Sequence, residues 1–246
     1  MVSQRIGHSI VWFLALLSGF VACLFIAWKI MAAGDYGYPL FYDVYDINEH
    51  IERYAPQNRY ISGFQTTDRQ QHEALFSEIV AAVHNQGEGL EEITFLRGDD
   101  AVTLLRHAEL LHLQDVANLI DVFDLAGVLA LGLFILLAGV LVYLNRPPSW
   151  KHQLMLLAGV IFVCTSAVLV IGPKVVFYQF HVWLFPPQHQ WFFYYQDSLM
   201  TTLMHAPQLF GGIAAVMLLM ATTLAVVVIR ALMVLAAIRT QQGSKS

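Results

Sequence analysis

FHVWLFPPQHQWFFYYQDSLMTTLMHAPQLF, residues 180–210, connects two long apolar stretches of the chain. It contains three histidines, two tryptophans, a Pro-Pro pair and one carboxylate. Tryptophan and tyrosine concentrate where a membrane protein meets the water interface, so this composition is unusual for a plain connection between helices. We therefore interpret residues 180–210 as an element at the membrane surface that carries a polar site.

The composition of the whole chain is that of a membrane protein. Of its 246 residues, 57% are hydrophobic and 13% are charged, and the mean hydropathy is +0.58. A helix that crosses a membrane needs about 20 mainly apolar residues, and four stretches meet this requirement: 10–33, 125–144, 154–172 and 209–229. We predict an all-α membrane protein with four transmembrane helices and a small, mostly helical extracytoplasmic domain between the first two.

The predicted organisation follows from these stretches and their flanks. In chain order it comprises transmembrane helix 1 (10–33), the extracytoplasmic domain (34–117), transmembrane helix 2 with an outer extension (118–144), a cytoplasmic turn (145–153), transmembrane helix 3 (154–172), an extracytoplasmic aromatic loop (173–206), transmembrane helix 4 (207–238) and a cytoplasmic tail (239–246). We expect the first apolar stretch to be retained, because it continues beyond Cys23 and is too long for the apolar core of a signal peptide. Cys23 and Cys164 are too few for a disulfide framework, and we interpret both as buried thiols.

Basic residues near the spans predict the orientation, since Lys and Arg concentrate in short cytoplasmic segments. The flanks that four spans place on one side carry Arg5, Arg146, Lys151, Arg239 and Lys245. All 18 acidic residues lie within Asp35–Asp124 or at Asp197. We therefore expect a multi-pass protein of the cytoplasmic membrane, with both termini in the cytoplasm and the polar site at the extracytoplasmic surface.

Short elements are predicted within the extracytoplasmic domain. Four tyrosines after the first span are typical of an interface anchor, and residues 47–54 suit a short helix that ends before Pro56. Thr67-Asp68-Arg69-Gln70 resembles a capping box at the start of an apolar helix. Residues 93–96 are compatible with a strand or a turn. A further helix is predicted after Asp100, and because no Gly or Pro follows before Ala126, we expect it to continue into the second span.

Two histidines are the leading candidates for chemistry. His112 and Asp115 lie three residues apart on one helix face, where the carboxylate could fix the tautomer of the imidazole. His181 lies between Phe180 and Trp183, in apolar surroundings that favour a neutral, basic imidazole. Asp121 and Asp124 lie at the mouth of the second span, where a polar side chain is either functional or part of a solvated helix face.

Several common kinds of site are missing from the sequence. It has no GxSxG elbow, P-loop, HExxH or CxxC motif, which argues against an acyl-enzyme. A metal site could draw on His112, His181, His189 and His205, but no pair has the spacing of a zinc motif. No histidine lies well inside a span, as a bis-histidine haem would require. We expect no metal, no cofactor and no nucleic-acid partner.

One set of motifs resembles a known family, the lipoprotein intramolecular transacylases (Lit), which are four-span bacterial membrane proteins. The set comprises His112-Leu113-Gln114-Asp115-Val116, Phe180-His181, Leu184-Phe185-Pro186, Trp191, Ser198-Leu199 and the segment from Pro207 to Phe210. The order of the motifs and their placement relative to the spans are similar to those of the family. The motifs cover about 35 residues, and apart from residues 112–116 the domain at 34–117 carries none of them.

The resemblance implies a substrate and a reaction. The substrate would be a diacylated membrane lipoprotein whose N-terminal cysteine carries a diacylglycerol thioether. The enzyme would move the sn-2 acyl chain to the cysteine α-amine and produce a lyso-form lipoprotein. By the same resemblance, His112 and His181 would be the catalytic pair. We assign the base to His112, oriented by Asp115, and the electrophile to His181, although these two roles could be exchanged.

Further residues are predicted to bind the substrate. Trp191 and Phe180 would shape the site, and Asp197 and Asp121 would meet the ammonium or another polar group. The alternative is a non-enzymatic membrane protein whose outer domain binds a partner or ligand. A separation of more than about 10 Å between the two imidazoles would favour that alternative, because both must reach one substrate.

Overall fold

The structure, a computed structural model, describes residues 2–144 and 150–243. Its helices are α1 (Val2–Ala32), α2 (Tyr38–Val44), α3 (Ile47–Tyr54), α4 (Arg69–Val83), α5 (His107–Leu144), α6 (Trp150–Ile171), α7 (Pro173–Leu184), α8 (Leu199–Leu203) and α9 (Gln208–Gly243). Two strands, β1 (Thr94–Arg97) and β2 (Asp100–Thr103), lie between α4 and α5. The predicted turn at 145–153 and tail at 239–246 lie partly outside the described residues. The side chains of all five basic residues used to predict the orientation also lie outside the described part of the chain.

Three helices in the described part of the chain are long and apolar enough to cross a membrane. They are Ile10–Ala32 in α1, His107–Tyr143 in α5 and Gln208–Leu235 in α9. A fourth candidate is the pair Met155–Ile171 and Pro173–Leu184, which meet at an angle of 97°. Gly172 forms this bend at φ +98°, a conformation that glycine adopts without strain, and Pro173 begins α7 at a position where its missing N–H is not needed. The described residues therefore contain three candidate spans, or four if the bent pair is one span.

The membrane helices pack through small residues. The first of two compact units comprises Met1–Lys29, Asp124–Phe177 and Met217–Ser246. The buried cluster in its described part consists of Cys23, Ala27, Leu157, Ala221 and Ala225. Small side chains let helix backbones approach closely, which favours helix association in lipid. Cys23 is buried here as predicted, whereas Cys164 is exposed, so the prediction of a second buried thiol is wrong.

Asp124, one of the two candidate carboxylates at the mouth of the second span, forms an ion pair. Lys29 Nζ of α1 donates to Asp124 Oδ1 of α5 at 3.0 Å. The two side chains are 43% and 35% exposed, so the pair contributes at most about 1 kcal/mol to stability. Asp124 therefore joins two helices of the first unit.

The second unit comprises Ile30–Phe123 and Tyr178–Val216, and tyrosines form part of its core. Tyr38 is 1% exposed, stacks on Phe76 at 4.1 Å, and donates its hydroxyl to the carbonyl oxygen of Leu203 at 2.8 Å. Tyr42 is also buried, with its hydroxyl 2.8 Å from His72 Nδ1. The prediction of an interface anchor is wrong for both residues, because each hydroxyl has a buried partner that makes burial of the ring favourable.

The segment before α5 is a β-hairpin, which settles the open choice for residues 93–96 in favour of a strand. β1 and β2 pair antiparallel, with Thr94 opposite Thr103 and Arg97 opposite Asp100. Gly98 in the turn has φ +64°, in the left-handed region that glycine favours. The prediction of a helix directly after Asp100 is wrong, because residues 100–103 pair with β1 and α5 begins at His107.

Two other local predictions are corrected. The N-cap of α4 is Asp68, not Thr67, since Asp68 Oδ1 accepts the backbone N–H of Gln71 at 2.9 Å. The segment 173–206, predicted as a loop, contains the 12-residue helix α7 and the short helix α8. The aromatic composition of this segment is typical of an interface loop, so the sequence does not reveal its helical part. The helix predicted at residues 47–54 is confirmed as α3.

A close approach of α2 to α9 requires a glycine. A Cβ atom at Gly212 would lie 2.5 Å from the hydroxyl of Tyr45 and 2.7 Å from the ring of Phe41, which is 6% exposed. We expect Gly212→Ala to lower the free energy of unfolding by about 1–3 kcal/mol. Gly211→Ala is the matched control, because a Cβ there meets nothing within 4 Å and alanine favours the helix by up to about 1 kcal/mol. Thermal unfolding in detergent measures both, and equal midpoints for the two variants would contradict the packing argument.

Candidate active site

Two imidazoles from different helices lie side by side in the second unit. His112 is in the second turn of α5, and His181 is near the carboxyl end of α7. Their ring centroids are 6.3 Å apart, with an interplanar angle of 30°. This separation is below the limit of about 10 Å beyond which the two groups could not serve one substrate. The structure therefore brings together the two histidines selected from the sequence.

Aromatic rings enclose the two imidazoles. The ring of Phe185 lies 5.0 Å from that of His112 and 5.2 Å from that of His181. Phe193 approaches His112 at 6.0 Å, and Trp191 packs on His181 at 4.8 Å. Phe185 and Phe193 are 6% and 5% exposed. An imidazolium is costly in such apolar surroundings unless it is paired, so the enclosure favours neutral, basic imidazoles.

One nitrogen of His112 is available for chemistry. His112 Nδ1 is buried and has no hydrogen-bond partner among the described residues. A buried polar atom without a partner is uncommon in folded proteins and calls for an explanation, such as a bound substrate group. His112 Nδ1 is therefore the atom in this cluster that a substrate amine or ester could engage.

Asp115 does not orient His112, contrary to the expectation from the sequence. Its Oδ2 atom is 2.6 Å from Nδ1 of His189, which lies in the segment between α7 and α8. Asp115 is 13% exposed and His189 is 29% exposed. The i,i+3 spacing places Asp115 and His112 on one helix face, but the carboxylate turns to a partner 74 residues away in sequence. The site thus contains a carboxylate–imidazole pair beside the two enclosed histidines.

A buried carboxylate holds the start of α5. Glu109 is fully buried, and its Oε2 accepts the backbone N–H of Arg106 at 2.7 Å, which is the return half of a capping box. The Nε atom of Arg106 lies 3.3 Å from the same carboxylate. Glu109 Oε1 accepts a hydrogen bond from the hydroxyl of Ser198, the N-cap residue of α8. Glu109 therefore fixes the helix that carries His112 to the segment that follows His189.

The residues predicted to bind substrate have different surroundings. Trp191 packs on His181, with ring centroids 4.8 Å apart. Phe180 is 42% exposed, with its ring 5.6 Å from that of its neighbour His181. Asp121 is exposed on α5. Asp197 accepts from Arg59 Nη1 at 3.0 Å and is 16% exposed, so its carboxylate already has a cationic partner.

A second histidine pair lies elsewhere in the same unit. The rings of His50 and His205 stack at 3.8 Å, and Tyr195 meets His50 edge-on at 4.4 Å. Burial, with help from the nearby His205 and Arg53, lowers the pKa of His50 to about 4. Burial also lowers the pKa of His205. Both rings are therefore neutral at pH 7, and they join α3 to the segment that precedes α9.

Four residues outside the predicted site also contribute to this region: His189, Glu109, Phe185 and Phe193. From the sequence, His189 is predicted only as a possible metal ligand and Phe185 only as part of a family motif. Glu109 is the N3 residue of α5, a position that the prediction missed because it started this helix at residue 101, six residues before His107. No sequence pattern marks His189 as the partner of Asp115, because only the fold brings these two side chains together. In the described part of the chain, no three His, Cys, Asp or Glu side chains are arranged to hold a metal ion.

Together, the apolar helices and the enclosed histidine pair define a membrane-integral, mainly helical protein with a candidate active site in its second unit. The chain belongs to the family of the lipoprotein intramolecular transacylase Lit, whose family model matches residues 11–210. Because a match of this extent covers most of the chain, the resemblance recognised from the motifs is confirmed. No curated protein sequence matches the chain.

Solved structures of Lit from Bacillus cereus share the fold. An in meso structure of that membrane-integral protein has 14% sequence identity and a TM-score of 0.65, covering 96% of this chain and 99% of its own. A variant with a histidine replaced by alanine has 13% identity and a TM-score of 0.67, with 100% of both chains covered. A variant with a histidine replaced by arginine has 13% identity and a TM-score of 0.65, with 98% of both covered. At this identity the likeness establishes the fold.

Proposed function

We propose that this protein moves the sn-2 acyl chain of an S-diacylglyceryl-cysteine to the α-amine of the same cysteine, giving a lyso-form lipoprotein. The observation that carries the proposal is the His112–His181 pair, with ring centroids 6.3 Å apart inside an aromatic enclosure. Membership of the Lit family supports the substrate class. The expected partners are therefore a diacylated lipoprotein and the lipid bilayer.

The proposed mechanism uses the substrate's own nucleophile. Amine and ester belong to one molecule, so the enzyme brings them together, and such proximity can contribute about 7–11 kcal/mol of the barrier. His112, with a free Nδ1 atom, removes the proton from the attacking amine. The proton passes from His112 to the neighbouring His181, which delivers it to the glycerol alkoxide that leaves, so both imidazoles end neutral as they began. No acyl-enzyme is formed, and exchanging the two roles leaves the proton balance unchanged.

Neighbouring residues shape the site. Trp191 packs on His181 and restricts its ring, and Phe180 extends the apolar wall towards the acyl chains. Asp121 contacts the polar end of the substrate from the exposed face of α5. Asp197 binds Arg59 and keeps a structural role in place of the ammonium contact expected from the sequence.

The proposed setting is the extracytoplasmic surface of the cytoplasmic membrane. With the bent pair α6–α7 counted as one span, four spans place both termini on the same side of the membrane. The five Lys and Arg residues in the flanks on that side support a cytoplasmic location, because basic residues dominate short cytoplasmic segments. The diacylglyceryl group of a lipoprotein lies at that same surface.

Tandem mass spectrometry tests the proposed function. Substrate and product are isomers of equal mass, so the measurement is a fragment ion of the lipoprotein's N-terminal peptide that reports an acyl chain on the α-amine. We expect this fragment in a strain that expresses the protein and none in the same strain with an empty vector. If the protein is present in the membrane and this fragment is absent, the proposed function is contradicted.

An isotope experiment in the same system tests the intramolecular route. Lipopeptides with deuterated acyl chains are mixed with unlabelled lipopeptides of a different peptide sequence. Transfer within one molecule keeps each label on its own peptide. Crossover of label between peptides would instead indicate an acyl-enzyme or transfer between molecules.

A further inference from the structure

The proposed reaction releases one proton, so the site needs a route by which that proton reaches solvent; this inference rests on the proposed function. An α-ammonium has a pKa of about 7.7–8 and is mostly protonated at neutral pH. Conversion of an ammonium and an ester to an amide and an alcohol releases one proton. The amine loses one proton before it attacks and a second from the tetrahedral intermediate. The second proton goes to the leaving alkoxide, so the first one must reach solvent.

The enclosed pair of histidines transfers the second proton, from the amine of the intermediate to the alkoxide. His112 and His181 lie within one aromatic enclosure, 6.3 Å apart, where a proton can pass from the amine of the intermediate to the alkoxide. A proton retained there would leave an imidazolium in apolar surroundings, which is costly without a partner. His112 Nδ1 has no partner among the described residues. The first proton therefore needs a different acceptor with access to water.

His189 has the features of that acceptor. Asp115 Oδ2 lies 2.6 Å from its Nδ1, so the carboxylate fixes the tautomer that carries hydrogen at Nδ1 and leaves the Nε2 lone pair available. The same carboxylate stabilises the imidazolium that forms when Nε2 takes a proton. With 29% of its side chain exposed, His189 can release that proton to water.

The position of His189 matches this role. Asp115 follows His112 by one turn of α5, and His189 precedes Trp191, whose ring packs on His181. The titratable group in contact with His189 is Asp115 of α5, which lies one turn after His112. We propose that His189, oriented by Asp115, accepts the first proton of the substrate's α-ammonium and passes it to solvent. The N–H bond of the ammonium breaks, an Nε2–H bond forms, and water later accepts that proton.

The test is the pH dependence of the purified enzyme in detergent with a synthetic diacylglyceryl lipopeptide. His189→Gln cannot accept a proton, so its rate should follow the fraction of substrate present as free amine. We expect a loss of about tenfold or more at pH 6.5, and a loss below about threefold at pH 9, where more than about 90% of the amine is free. Asp115→Asn should show the same dependence. His107→Gln, an exposed histidine at the start of α5, is the control and should keep the wild-type profile.

The outcomes separate this proposal from the proposed function. A pH profile of His189→Gln parallel to that of the wild type, whether at equal or at uniformly lower rate, overturns the assignment, because a structural role affects all pH values alike. Wild-type enzyme that forms no lyso product at any pH overturns the proposed function and this inference with it. Recovery of His189→Gln at high pH, with wild-type and His107→Gln profiles equal, supports the proposal.

Discussion

Replacement of His181 with alanine is expected to slow formation of the N-acylated lyso product by about 100- to 10,000-fold, the usual range for loss of a general acid or base. The ring of His181 lies between Phe185 and Trp191 in the second unit. Alanine removes the imidazole but leaves those rings in place, so the protein should fold. Initial rates with a purified enzyme and a diacylglyceryl lipopeptide, followed by tandem mass spectrometry, measure the effect.

His112→Ala should have an effect of similar size, and the double variant makes the test sharper. Two groups that act in one step are strongly non-additive, so the double variant should lose little more activity than the slower single variant. His107→Ala controls for removal of an exposed histidine from α5. Full activity in both single variants would contradict the catalytic assignment, and multiplicative losses would indicate that the two histidines act independently.

Elements with a strong local signal were predictable from the sequence. The helix at residues 47–54 is stopped by Pro56, and the long apolar stretches exceed what a signal peptide or a core helix needs. The start of α5 was not predictable in this way, because residues 100–103 become a strand only through pairing with β1. Likewise, Tyr38 and Tyr42 resemble an interface anchor until the fold provides buried partners for their hydroxyls.

The candidate site was predictable only in part. His112 and His181 could be selected because family motifs mark them, but composition alone does not distinguish them from the other eight histidines. The partner of Asp115 could not be found from helical spacing, since i,i+3 proximity says which residues share a face and not which way a side chain turns. The hydrogen bond from Asp115 to His189 joins residues 74 apart, and that from Ser198 to Glu109 joins residues 89 apart.

Removal of the Glu109 side chain is expected to destabilise the second unit strongly. Glu109 is fully buried and accepts from the Arg106 backbone and the Ser198 hydroxyl. Glu109→Ala leaves both donors without a partner and opens a cavity. Losing one member of a buried charged network costs about 3–5 kcal/mol, equivalent to a fall of about 6–20 °C in the unfolding midpoint for a chain of this size.

Glu109→Gln is the control that separates hydrogen bonding from charge. Glutamine keeps an acceptor for the backbone N–H of Arg106 and adds a donor that can face Ser198 Oγ, so its cost should be about 1 kcal/mol. Unfolding midpoints in detergent, followed by tryptophan fluorescence, compare the two variants with the wild type. Because Glu109 fixes the end of α5 that carries His112, a midpoint for Glu109→Ala equal to that of Glu109→Gln would mean that the start of this helix is held by other contacts.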